Sequence, residues 1–438
     1  MKKFLLCSVA VLTTLNMAAQ PPADTSSKYP QGATYSLSDG STVAKTDETL
    51  ASSTQYYNVV QVSKGTLTLT NCTLNKTGSG SNGDNSSFYG NNSTIYAGAA
   101  SSSNYESTTA GANAKIIVNG GSVTSSSEGA NAVIATNGAT VEVDGLTIVN
   151  NSNVSRGLHA TFGGIINASN VDITTNGATS STIATDRGGG TVTVEGGSAT
   201  ANGAKSAVVY STGVMTISNL TGTSSQGEIA VIEGDNSITL TNCTMTSGSS
   251  ERGLLMMQSG SGDASGVNPV MTITGTSLTM TDTNAPLLEV ATCVTATCTL
   301  DNCTVTVPSG ILMYVMDDDQ WSTDGATGNL VLANGTYSGI VKYDSGYTAN
   351  VTVNSGAVWN LTANTAISTL VNNGTINCNG YTLTYTSKSG SGTINANASA
   401  LVDVFDTSAQ SQKFICNGQV LIRKGDKTYN IFGVEVKE

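Results

Sequence analysis

One short phrase recurs through this chain and constrains it more than anything else. It is met first as TLTLTNCTL at residues 66–74. It returns as TVEVDGLTI (140–148), IINASNVDI (165–173), TVTVEGGSA (191–199), VMTISNLTG (214–222), SITLTNCTM (237–245), VMTITGTSL (270–278) and TCTLDNCTV (297–305). Each copy alternates apolar and polar residues, turns at an Asn or Gly, and begins a second alternating run. A period of two is the pattern of a strand, and no 3.6-residue stripe runs long enough for a helix.

The turn residues give the repeat length. They fall at Asn71, Gly120, Gly145, Asn170, Gly196, Asn219, Asn242, Gly275, Asn302 and Asn334, and in degraded form at Ser355 and Gly380. The spacing is roughly 20 to 30 residues, the period range of solenoids. A unit of that length closes one coil of two or three short strands. Stacking then pairs each strand in parallel with its counterpart one coil on, in the right-handed sense that parallel crossovers prefer. The expected fold is all-β: a single right-handed parallel β-helix of about a dozen coils, with a short appended C-terminal β-segment. At ~4.8 Å per coil the rod is on the order of 60 Å long.

Composition alone would also suit a disordered linker, since charged residues are 11% and Gly is 48 of 438. The repeat argues otherwise, because each copy supplies Val, Ile, Leu or Met at one phase. A net charge of −12 disfavours nucleic acid and anionic membranes as partners. Residues 1–19 read as a signal peptide, with two lysines before a short apolar run, and 20–45 as an extended leader and N-terminal cap. Residues 46–400 form the β-helix and 413–438 a C-terminal β-segment, read as a sorting or anchoring tail. Beyond the leader no apolar stretch reaches the ~18 residues of a transmembrane helix.

Cys72, Cys243 and Cys303 share the position after the turn Asn but lie coils apart, beyond the ~7 Å Cα separation a disulfide allows. Most thiols therefore read as small buried hydrophobes, with a pair between Cys293 and Cys298 or Cys303 left open. The only His is His159, and no CxxC occurs, so neither a metal site nor a cofactor is expected.

The second strands of the middle coils read AVIAT (132–136), GLHAT (157–161), STIAT (181–185), AVVYS (207–211), AVIEG (230–234) and GLLMM (253–257). Aligning them places Ile134, His159, Ile183, Val209, Ile232 and Met256 inward. Ala135, Ala160, Ala184, Tyr210, Glu233 and Met257 then face outward. The opposite register would bury Glu233 without a partner. His159 is thereby assigned to the core.

Function is sought where the repeat breaks. The long interval 78–114 gathers Phe88, Tyr89, Tyr96 and Tyr105 among Ser, Asn and Gly. Such aromatic residues suit sugar stacking, or else cover the edge of a coil. The corner DRGGG at 186–190 either forms a tight turn with Asp186 and Arg187 as a local pair, or joins Tyr210 and Glu233 of the next coils in a polar patch. The candidate ligand-binding residues are thus Asp186, Arg187, Tyr210, Glu233, Tyr89 and Tyr96. Insertions 261–269 and 317–328 interrupt later coils; the acidic triplet at 317–319 lacks the spacing of a calcium loop. A row of Thr68, Thr193, Thr216, Thr239, Thr272, Thr299 and Thr352 faces outward, as on ice-binding β-helices, and is interrupted by Glu142, Asn167 and Val331. Such rows also follow from β-propensity alone.

With SSFYGNNSTIYA, HATFGG, IATDRGGGTVTV and AVIEGDNSITLTN, the chain resembles bacterial secreted and surface right-handed parallel β-helix proteins. These have the pectin-lyase-like shape and are of adhesin type. The resemblance covers residues 46–385 and implies a fold and a surface location with no established reaction. The last 26 residues resemble C-terminal segments of proteins exported by type IX secretion. The expected protein lies outside a Gram-negative cell after signal-peptide cleavage, and the leading reading of its function is non-catalytic binding of glycans or of a host or cell partner. Many β-helices of this shape are polysaccharide lyases or glycoside hydrolases, which is the alternative. No N-T-D, G-H-G or R-I-K motif of the pectinase-like hydrolases stands here, and no catalytic residue is assigned.

Overall fold

A computed structural model describes residues 30–79, 83–99, 102–317, 325–396, 401–403, 411–416, 419–424, 427–430 and 436. The leader, and residues 318–324 of the acidic insertion, lie outside them. The described chain is nearly all strand and forms a parallel β-helix. Sheet A stacks 12 strands, one per coil, from Gly32–Leu37 to Ile340–Tyr343. Sheet B stacks 25 strands in two adjoining ladders. One ladder contains Gly65–Thr70 and Val214–Ser218, the other Thr73–Lys76 and Thr221–Ser224. All pairings within both sheets are parallel among the described strands, and the alternating phase of the repeat turns one set of side chains inward. Thus Leu67, Ile116, Val141, Ile166 and Val192 follow one another in register and are buried. Each such side chain contributes ~1.5–3 kcal/mol by leaving water.

Between the ladders of sheet B the chain turns sharply, and the turn residue takes positive φ. This holds for Asn71 (53°), Asn170 (52°), Asn219 (56°), Asn242 (53°) and Asn302 (52°), and for Gly120, Gly145, Gly196 and Gly275. Asn and Gly are the residues that tolerate this conformation. The repeat phrase is therefore a strand, a left-handed corner and a strand. The later coils depart from it: pairing slips at Leu332/Asn334, and Gly335 rather than Asn334 carries the positive φ. No positive φ is found at Ser355.

Coiling starts at Gly32, since Gly32–Leu37 and Thr42–Thr46 already pair in parallel with the next coil. Strands Ser411–Cys416, Gln419–Lys424 and Lys427–Asn430 form a separate antiparallel sheet. Cys72, Cys243, Cys298, Cys303 and Cys378 are buried thiols without disulfides, and Cys293 is exposed. Burial pushes the Cys298 thiol up to about 12, which keeps it protonated and inert. The threonine row is unbroken from Thr193 to Thr299, in register through Thr216, Thr239 and Thr272.

Candidate functional site

The outer face of sheet A carries the charged residues that the repeat does not require. Its central column, read from the pairing, runs Tyr96, Ile134, His159, Ala184, Tyr210, Val231, Leu255, Glu289 and Tyr314. The inward column beside it holds Val133, Leu158, Ile183, Val209, Ala230 and Leu254. Val133 and Leu158, not Ile134 and His159, therefore stand in line with Ile183. The sequence alignment was one residue out of step in these two coils, and Ala135 and Ala160 point inward instead. A slip of one residue reverses every side chain of a strand. His159 is buried, at 0% exposure, but on the outer face rather than in the core.

What buries it is the long insertion. Its polar segment forms a two-turn helix, Gly83–Tyr89, whose residues 85–89 are buried against the coils. The strand Ile95–Ala97 then rejoins sheet A. No helical periodicity announces so short and polar a helix; it is held by tertiary bonds. Ser87 Oγ donates to Asn131 Oδ1 at 2.9 Å, and Thr161 Oγ1 donates to the carbonyl of Phe88 at 2.9 Å. Tyr89 stacks on Phe162 with ring centroids 5.5 Å apart and meets Tyr105 edge-on. Tyr89 is only 3% exposed and Tyr96 2%, with the Tyr96 hydroxyl donating to the carbonyl of Ala99. Tyr89 and Tyr96 thus cover the coil edge and turn no open face to solvent, while Tyr105 stays partly exposed.

Asp186, Arg187, Tyr210 and Glu233 do gather on this face, but with partners other than those expected. Asp186 and Arg187 are not ion-paired with each other. Asp186 faces Arg156 Nη2 at 3.3 Å and His159 Nε2 at 3.8 Å, and accepts the backbone N–H of Arg187. Arg187 instead donates through Nε to Asp263 at 2.7 Å, and through Nη1 to the Tyr89 hydroxyl at 3.5 Å; its guanidinium lies 4.5 Å from the Phe88 ring centroid. Tyr210 is partly exposed, yet its hydroxyl donates to Glu233 Oε1. Asp263 belongs to the insertion that the sequence marked at 261–269. Arg156 and Asp263 escaped sequence reasoning because their partners lie 30 and 76 residues away. The only signal was a charged residue beside a break in a chain poor in charge.

Burial governs the protonation of this cluster. Asp186 is 2% exposed, and desolvation raises its carboxyl to about 7 even though Arg156 opposes the shift; Asp263 and Glu233 add to it. Glu233, 4% exposed, is raised by desolvation as well, while its bond from Tyr210 opposes the change. Desolvation and then Arg156 hold His159 well below its ordinary value, so the ring is neutral. Thr212 Oγ1 reaches no hydrogen-bond partner; the His159 nitrogens and Glu233 Oε2 make no bond of full geometry, although the Ser87 backbone and the Ser259 hydroxyl lie close enough to act on them. Further along the face Arg252 spans Glu228 at 3.1 Å and Glu289 at 2.7 Å.

Among the described residues no three His, Cys, Asp or Glu side chains are grouped to hold a metal ion. No helix among them is long and apolar enough to cross a membrane. A shallow recess lined by Val305, Val307, Pro308, Ser338 and Thr362 offers no acid or base. Comparison with protein-family models, with curated proteins and with solved structures found no match for the chain.

Proposed function

We propose that this chain is a secreted or cell-surface β-helix that binds a neutral glycan on the outer face of sheet A without catalysing a reaction on it. The observation that carries the reading is the state of the two carboxyl groups. Asp186 and Glu233 are closed off from solvent and engaged by Arg156 and Tyr210, so neither is presented to a glycosidic bond. What remains at the surface is a ligand-binding rim: the partly exposed Tyr210 ring, packed against Val231, Leu255 and Met257, with Arg187 nearby. An aromatic ring beside fixed hydrogen-bonding groups suits the apolar face and hydroxyls of a sugar. The nearby cation, Arg187, is already paired with Asp263, which makes an anionic sugar a poorer fit. Export rests on the leader at 1–19 and the tail at 413–438.

A glycan array probed with wild type and with Tyr210→Ala tests this reading. Retention of a neutral glycan by the wild type and its loss in the variant support it; no retention by either, or equal retention, sinks it.

A second reading has its own support. An acid raised to about 7, as Asp186 is, is what a polysaccharide-cleaving enzyme needs as a proton donor, and burial raises Glu233 in the same direction. Incubation with polysaccharides, followed for new reducing ends and unsaturated products, separates the two. Product formed by wild type and lost in Asp186→Asn and Glu233→Gln would establish the enzyme.

A further inference from the structure

Behind the Tyr210 ring, Glu233 and the corner that follows it lie against a strap formed by residues 258–269, which leaves sheet A after Met257 and re-enters sheet B at Val270. The strap is seated by polar contacts. Asp235 N donates to the Ser265 carbonyl at 2.8 Å and Asn268 N donates to Asp235 Oδ1; within the strap, Ser261 Oγ donates to Asp263 at 2.6 Å. A methyl group on Gly234 would meet the carbonyl of Ser265 and the side chain of Ala264, so the strap lies directly on the corner that follows Glu233. Ser259 and Asp263 are close enough to Glu233 to influence its protonation. Among the described residues the strap's one ion pair with the rest of the molecule is the bond from Asp263 to Arg187, and Arg187 in turn holds the helix Gly83–Tyr89. Beneath the strap Glu233 is engaged by the Tyr210 hydroxyl and lies within reach of the Ser259 hydroxyl, while its Oε2 makes no hydrogen bond of full geometry. A buried acceptor without a full hydrogen bond is costly and is satisfied when water or a ligand hydroxyl reaches it.

We propose that the strap is an openable cover over Glu233, latched by Arg187 and Asp263, and that a neutral glycan gains Glu233 and the Tyr210 hydroxyl only when the latch releases. The second half rests on the glycan-binding reading; the first does not. The strap's ties are polar and exchangeable, whereas the coils beneath it are held by continuous ladders and a packed core. Opening therefore leaves the β-helix intact.

Carboxyl footprinting tests the cover without any ligand. The folded full-length chain is treated with a carbodiimide and glycine ethyl ester, and modification of Glu233 is read by mass spectrometry against the exposed Asp172 and Glu195. In Asp263→Asn, labelling of Glu233 is expected to rise roughly tenfold over wild type, the scale of losing one charge-assisted hydrogen bond. Labelling of Asp172 and Glu195 stays unchanged, and Asp263→Glu, which keeps the charge, returns Glu233 towards slow labelling. Unchanged labelling of Glu233 in Asp263→Asn overturns the cover. Faster labelling together with stronger retention on the glycan array supports both halves. Faster labelling with no glycan retained by either protein supports the cover and overturns the glycan reading.

Discussion

Arg187 donates through Nε to Asp263, 76 residues further along the chain, while its guanidinium plane lies over Phe88, 99 residues before it. One side chain thus ties two insertions, from coils at opposite ends of the cluster, to a corner of sheet A. The planar fork suits this task because it offers edge donors to a carboxylate and a face to an aromatic ring at once. Arg187→Lys keeps the charge but loses that combination. Its expected cost is about 1–2 kcal/mol, read from the urea midpoint. A double-mutant cycle with Phe88→Leu should return a coupling of ~0.5–1 kcal/mol; additivity would show that the ring contact contributes nothing.

Asp186 sets a pH dependence with a defined sign. Its neighbours are Arg156, His159, Arg187, Tyr210, Glu233 and Asp263, and burial prevails over the arginine beside it. Since the folded carboxyl titrates at about 7 against 3.8 in the unfolded chain, the folded state binds the extra proton between those values. Asp186 is therefore tolerated at low pH, and its contribution to stability falls as pH rises, by up to ~1.4 kcal/mol per pH unit, levelling off above 7. Asp186→Asn mimics the protonated acid. The variant should match wild type near pH 4 and exceed it progressively up to pH 7 in denaturation series. A constant difference across that range would contradict the assignment.

His159 makes a different case, because a neutral ring whose nitrogens make no hydrogen bond of full geometry, with only the Ser87 backbone near, contributes shape and little else. Replacing such a group with an apolar one of similar volume is close to neutral or stabilising. His159→Leu should change stability by less than about 1 kcal/mol and leave glycan retention intact. A larger loss in either measurement would show that the imidazole holds a bond that matters.

The coil was legible in the sequence because its causes are local. Alternation fixes the strand, and Asn or Gly fixes the corner, so Asn71 through Asn302 could be placed from the repeat alone. Sheet A was harder. Its strands Val133–Ala135 and Leu158–Ala160 are three residues long; the first is apolar throughout, so alternation cannot choose its register, and in the second the polar His159 between Leu158 and Ala160 is the one sign of the outer phase. The insertion that covers Ile134 and His159 removed the remaining signal, by burying the outer face as thoroughly as the inner one. The grouping of Asp186, Arg187, Tyr210 and Glu233 followed from counting coils. The identity of their partners did not, because Arg156 and Asp263 are brought in by tertiary contacts across distant coils.

The corner itself can be tested at Asn242, which takes a φ of 53° and is exposed. Its cost to an ordinary residue is the clash of Cβ with its own backbone, about 1–2 kcal/mol, which Gly avoids and Asn tolerates. Asn242→Gly should therefore leave the thermal midpoint nearly unchanged, while Asn242→Ala lowers stability by ~1 kcal/mol. The corner one coil on adds an internal control. A methyl group on Gly275, also at positive φ, would meet the side-chain oxygen of Asn242. Gly275→Ala should then be more damaging than Asn242→Ala, and combining it with Asn242→Gly should recover the part due to that collision. If the double variant shows simple additivity, the corners act independently, and the stacked asparagine contributes nothing beyond its own backbone conformation.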